Sequence, residues 1–191
     1  MAHRQDNAST TGKKHNALLL GAASTATITE FAQTVRSVHP DANCLVVDIR
    51  GERTSRIDPT IAKFLYSDAS ALPLPDGTVD SIHTNMLLGH LLYRQSQHSV
   101  VFSEAYRALS PTGTLIMVEA MRGRDVANLT DLENVGFTDV VSQPAVGFPT
   151  RRAMDRALYS KDVNSFGWTE NIVSDRALVI VARKQKHKSK S

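Results

Sequence analysis

Cysteine is almost missing from this chain. A single residue, Cys44, rules out an internal disulfide and any cysteine-based zinc centre, and no metal site is read elsewhere in the sequence. Set in Cys44-Leu45-Val46-Val47, it reads as a small buried thiol, in keeping with a cytoplasmic protein. Long apolar runs are missing too. Nothing approaches the roughly 18 residues of a membrane helix, and Ala17–Leu20 is only strand-sized, so no membrane partner is expected. Met1 to Asn16 lacks an apolar h-region, which argues against a secretory signal. An organelle transit segment is the weaker alternative, because of Asp6 and the lack of an amphipathic pattern. No Gly-x-Gly-x-x-Gly occurs, which speaks against a dinucleotide-binding oxidoreductase. Strong charge is also lacking: the formal net value is +3, and much of the excess lies in Arg183–Ser191. That run reads first as a solvated end, and it is the one feature pointing toward RNA or DNA.

With 41% hydrophobic residues in 191, one globular domain with a substantial core is expected. The organisation read from the sequence is a polar tail over 1–15, a domain over 16–183 and a basic tail over 184–191. Ala17–Leu20 is a continuous apolar run stopped by Gly21, as a parallel strand covered on both faces would be. Ile28, Phe31, Ala32, Val35 and Val38 then recur at helical spacing and end before His39-Pro40. Further strands are predicted at Cys44–Val47, Ala62–Tyr66, Val79–Thr84, Thr114–Val118, Phe137–Val141 and Ala177–Ala182. Val100, Val101, Ala105, Ala108 and Leu109 outline a second helix, which Ser110-Pro111-Thr112-Gly113 should stop. Leu129–Val135 forms a third, with Gly136 as its left-handed cap. Strands alternating with helices predict an α/β fold with a doubly wound, mostly parallel sheet of seven strands. The last strand should be antiparallel, since no helical pattern demands a crossover before it.

In such sheets ligands bind outside the carboxyl ends of the strands, where strand order reverses. The residues there are Gly21-Ala22-Ala23-Ser24, Asp48, Asp68-Ala69, Asn85-Met86 and Glu119. The Gly21 turn lets backbone approach a ligand and opens a helix amino terminus; an ordinary strand-to-helix turn is equally compatible. Asp48 can accept both hydroxyls of a ribose, its competitor being a helix cap or an ion pair with Arg50 or Arg53. Asp68 could face an adenine amino group or act as a helix N-cap. Glu119 could line the site or cap the next segment. His90 and Tyr93 are the candidates for a general base or pocket wall, with packing as the competing role of His90; His83, inside a strand, reads as structural. Residues 143–176 form a long insertion with Arg151, Arg152, Phe148, Tyr159 and Trp168. It is either a lid that selects the acceptor or an extra helix over 151–159 at the sheet edge.

Two passages resemble the type 11 class I methyltransferases, a family with a Rossmann-like fold. Tyr66-Ser67-Asp68-Ala69-Ser70-Ala71-Leu72-Pro73-Leu74-Pro75-Asp76-Gly77-Thr78-Val79-Asp80 is similar to the family's passage from strand three to strand four. Glu104-Ala105-Tyr106-Arg107-Ala108-Leu109-Ser110-Pro111-Thr112-Gly113-Thr114-Leu115 resembles its Glu-x-x-Arg-Val-Leu-Lys-Pro-Gly-Gly-x-Leu segment. The resemblance implies an S-adenosyl-L-methionine-dependent methyltransferase with an unidentified small-molecule or macromolecular acceptor. It places Gly21, Ala22 and Ala23 at the methionine part of the cofactor, Asp48 with neighbouring Ile49 at the ribose, Asp68 and Ala69 at the adenine, and Asn85 and Met86 beneath the sulfonium. The glycine loop departs from the family pattern: Leu19 stands for the acidic residue, Ala23 for the second glycine and Thr25 for the third. Thr25 would be strained if its site required positive φ. No Asn-Pro-Pro-aromatic sequence follows strand four, where enzymes that methylate amino groups of nucleic acids carry it. A catalytically inactive binding or assembly module, with RNA as a candidate partner, is the alternative these departures support.

Overall fold

The structure is a computed structural model that describes residues 13–21, 25–49, 57–85, 87, 95–120, 126–144 and 177–185. Seven strands run β1 (Asn16–Leu20), β2 (Asn43–Asp48), β3 (Lys63–Tyr66), β4 (Val79–Asn85), β5 (Leu109–Ala120), β6 (Thr138–Pro144) and β7 (Ala177–Arg183). They form one sheet in the order β3-β2-β1-β4-β5-β7-β6. β1 pairs in parallel with β2 on one side and β4 on the other, so the strand order reverses beside it. β7 is antiparallel to both β5 and β6, as its sequence setting implies.

β1 is buried from Ala17 to Leu20 because both faces of the sheet are covered. Ala17 and Leu19 join Cys44, Val46 and Ala62 beneath α1 (Thr25–Val38), whose Ile28, Phe31, Ala32 and Val35 form the packing stripe. Leu18 and Leu20 point the other way, with Val47, Ile82, Leu115 and Met117. There they meet α2 (Gln95–Ala108) and α3 (Val126–Val135) through Val101, Phe102, Ala105, Ala108 and Leu132. No described helix is long and apolar enough to cross a membrane.

Several local expectations change. Val38 and Val100, expected on buried stripes, are 39% and 48% exposed. Val38 closes α1 beyond the sheet, and Val100 lies one residue off the 101-105-108 stripe, about 100° around the helix. Phe102 fills that place instead. Leu109 starts β5 rather than ending α2, and Ser110–Gly113 is absorbed as an irregularity: Leu109 pairs with Val79, then Thr114 with Ser81. Gly136 does cap α3, at φ 112°. Its N–H donates to Glu133 O, and the N–H of Phe137 donates to Leu132 O, the two bonds of a Schellman motif.

Candidate functional site

The carboxyl ends of β1, β2 and β3 lie side by side at one rim of the sheet, and the strand order reverses between β1 and β4. Gly21 extends the β1–β2 ladder, its N–H donating to Val47 O at 3.0 Å, and turns away at φ +73°. That left-handed backbone is one reason for glycine. A second is a neighbour: a Cβ here would lie 2.8 Å from Cδ1 of Leu87, the buried residue just past β4. Gly21, just past β1, and Leu87, just past β4, are therefore packed onto one another. Ala22, Ala23 and Ser24 lie outside the described residues. Thr25 is the first residue of α1, and the only non-glycine positive φ among the described residues is at Asp139. The strain expected at Thr25 does not arise, because a helical φ suits a β-branched residue. Leu19, which the sequence resemblance sets at an acidic position, is 1% exposed in the core beneath α1.

Asp48 ends β2 half-buried, followed by half-buried Ile49. Its carbonyl accepts the N–H of Ser67 at 3.3 Å, which holds the ends of β2 and β3 together. Its register partner is Tyr66, whose side chain is 72% exposed at the end of β3. Beyond it, Asp68 Oδ1 accepts the Ser70 N–H at 2.8 Å and the Ser70 hydroxyl at 2.7 Å. Asp68 thus caps a turn, and the cap fixes its carboxylate next to the ends of β2 and β3. Ala69 is 4% exposed with its methyl in the core beside Leu72, so it has only backbone to offer a ligand.

Asn85 closes β4 opposite Val118, and Glu119 continues β5 opposite Leu178. Met86, His90, Tyr93 and residues 145–176 lie outside the described residues. His83 is 1% exposed and meets Phe31 edge to face at 5.2 Å, a place in the packed interior.

The opposite rim, at the amino ends of the strands, holds the polar networks. Arg107, near the end of α2, donates to Glu104 Oε1 and Oε2, to Asp76 Oδ1, and to the carbonyls of Leu72 and Leu74. Glu104 Oε2 also accepts the N–H of Leu72. The two passages that carry the family resemblance therefore clasp each other: one guanidinium gathers the proline-rich link between β3 and β4 onto α2. The hydrogen bonds from Arg107 hold the Glu104 carboxyl below the usual carboxylate range, against some burial. The spacing Glu104-x-x-Arg107 was the sequence signal for this clasp, since residues three apart share a helix face.

Lys184, the first residue of the basic tail, is engaged in the fold. Its ammonium donates to Tyr106 O at 2.6 Å and Leu109 O at 2.9 Å and sits over the Tyr106 ring, satisfying carbonyls at the end of α2. Its pKa is depressed, chiefly by burial. At the start of β1, the Asn16 N–H and the Lys13 ammonium both meet the Asp80 carboxylate. His15 bonds Ser81 Oγ at 2.9 Å and stacks on His39, with ring centroids 3.9 Å apart. Burial pushes Asp80 up, but the Asn16 amide and Lys13 outweigh it and hold the carboxyl low. Burial, then the nearby His39, depresses the His15 pKa.

A family model described as a methyltransferase domain matches residues 18–117, more than half of the chain. Solved structures share the fold. The Haloferax volcanii methyltransferase in complex with the Trm112 methyltransferase activator is 16% identical. The match covers 91% of this chain and 84% of that one, at TM-score 0.61. A SAM-dependent methyltransferase from Archaeoglobus fulgidus is 14% identical over 90% and 86% of the two chains, at TM-score 0.58. The [4+2]-cyclase SpnF is 17% identical over 91% and 76%, at TM-score 0.59. At these identities the likeness is one of fold. No curated protein matches the sequence.

Proposed function

Because the chain belongs to the class I methyltransferase-domain family, we propose that its carboxyl rim binds S-adenosyl-L-methionine and presents the methyl to an acceptor. The observation that carries this is the position of Asp48. Its carboxylate ends the strand next to β1, and the preceding residue, Val47, accepts the Gly21 amide of the left-handed turn. This combination offers a carboxylate for two ribose hydroxyls beside a turn without a side chain. Asp68, fixed by Ser70, and the backbone of Ala69 would meet the adenine; Gly21 to Ala23 the methionine part; Asn85 and Met86 the sulfonium end.

When bound, the cofactor supplies an electrophilic methyl that passes to a nucleophile by in-line displacement. The protein's share is placement: holding donor and acceptor in line can supply much of the barrier reduction. His90 or Tyr93 would accept a proton where the acceptor carries one, and residues 143–176 would choose the acceptor. With its one thiol buried, the chain suits a reducing, cytoplasmic setting. The Haloferax neighbour's activator makes a protein partner for this chain a reading of the same kind. RNA contact through 186–191 is a further one; removing those residues should then lower RNA affinity and its salt slope.

A second reading has its own observation. Leu19 puts core where the family has a carboxylate, and a neighbour of the same fold is a cyclase, so the fold serves other tasks. The chain would then be a binding or assembly module without methyl transfer. Calorimetric titration with S-adenosylmethionine and S-adenosylhomocysteine separates the two. Micromolar binding supports the methyltransferase reading; no heat from well-folded protein moves the assignment to the module.

A further inference from the structure

Four large hydrophobic side chains among the described residues are notably exposed: Val38, Tyr66, Val100 and Val141. Single exposed apolar residues are ordinary on a protein surface. Tyr66 differs in place and kind. At 72% it is the most exposed of the four, it alone is aromatic, and it stands at the carboxyl end of a strand. Its register partner is Asp48, so the two side chains leave the same face of the sheet from strands about 4.8 Å apart. The bond from the Ser67 N–H to Asp48 O fixes those strand ends together, and the Asp68–Ser70 turn fixes the chain immediately beyond. A flat ring with few rotatable bonds is thus carried at the rim by a residue in register with Asp48 and two residues before Asp68.

We propose that Tyr66 is a stacking wall for the base of the bound nucleoside, a contact that orients the ligand while Asp48 holds its ribose. The inference rests on reading this rim as the nucleoside site. Aromatic side chains stack on any base through its π-face, so the wall supplies affinity; selection of adenine falls to groups that reach the base edge. Tyr66 is a positioning residue: it touches the ligand far from the transferred methyl. Being largely solvent-exposed, it can be truncated at little cost to the fold.

The test is calorimetric titration of the full chain with S-adenosylhomocysteine and with adenosine, for wild type, Tyr66→Ala, Tyr66→Phe and Tyr66→Trp. Tyr66→Ala should weaken both ligands about tenfold, while the aromatic variants stay within about twofold of wild type. The melting temperature should not move in any of them. In wild type, the Tyr66 ring proton resonances should shift upfield on adding adenosine, a ring-current signature that a merely structural role would not give. If wild type binds and Tyr66→Ala binds equally well, the wall is wrong and the nucleoside site stands. If wild type binds neither ligand, the wall and the site are both rejected.

Discussion

The two rims of the sheet are built differently. At the amino rim, Lys13, His15, Asn16, Asp80 and Ser81 answer one another, and Arg107, Glu104, Asp76 and Lys184 tie the β3–β4 link, α2 and the end of β7 together. At the carboxyl rim the chain places a left-handed glycine, a half-buried Asp48, a turn-capping Asp68 and an exposed Tyr66. Charge at the amino rim is used against charge and carbonyl within the protein. Polar and aromatic groups at the carboxyl rim stand at the strand ends near the point where the strand order reverses. On the proposed function, stability and ligand binding fall on opposite ends of the same strands, and the passages that identify the family belong chiefly to the first.

The sharpest way to break that comparison is Asp48→Ala. Cofactor affinity should fall more than about 100-fold, as two charge-assisted hydrogen bonds are lost, with the melting temperature unchanged. Unaltered binding by calorimetry would remove Asp48 from the site. Next, Arg107→Ala should cost about 2–3 kcal/mol, because it strips two backbone carbonyls and a part-buried carboxylate of their donor. That corresponds to a melting point about 5–10 °C lower, and affinity for the cofactor should stay within a few-fold. A binding loss larger than the stability loss would show that the rims are coupled.

Gly21→Ala should destabilise by about 1–2 kcal/mol through its positive φ. Combining it with Leu87→Ala should relieve only the steric share, and chemical denaturation of the four proteins reads the difference. Acid should act on the amino rim. Glu104 and Asp80 titrate below their unfolded values, so their stabilisation is present above the ordinary carboxylate range. It is lost as pH falls through the folded values. His15 is depressed in the fold, so the unfolded chain takes up that proton first and stability also declines as pH drops below about 6.5. In His15→Asn, stability measured from pH 7 to 5 should be flatter. The smallest effect separates Lys184 from the rest of the basic run: Lys184→Met should cost about 1 kcal/mol, whereas ending the chain after Gln185 should leave the melting point in place.

The sheet was legible because its strands are short apolar runs bounded by turn residues, a pattern that parallel strands covered on both faces must have. The antiparallel position of β7 followed from the lack of a helical pattern before it. Register within α2 was harder. Val100 and Phe102 differ by two positions and a rotation about the helix, which composition alone does not resolve. The continuation of β5 through Pro111 and Gly113 was hidden because these residues spell a turn, while the ladder to β4 tolerates the irregularity. At the candidate site, Asp48 and Gly21 could be read from their place after apolar runs. Tyr66 could not: its importance lies in its pairing with Asp48 and its exposure, and neither is a local property. Lys184 reads as part of a charged tail until the end of α2 is brought beside it.

The most direct test of the division between rims is amide nuclear magnetic resonance of the isotope-labelled chain during titration with S-adenosylhomocysteine. The account predicts shifts concentrated at Gly21, Asp48, Ile49 and Ser67 to Ser70, with Asn16, Asp80, Arg107 and Lys184 still. Shifts centred on the amino rim, or none in saturating ligand, would contradict it.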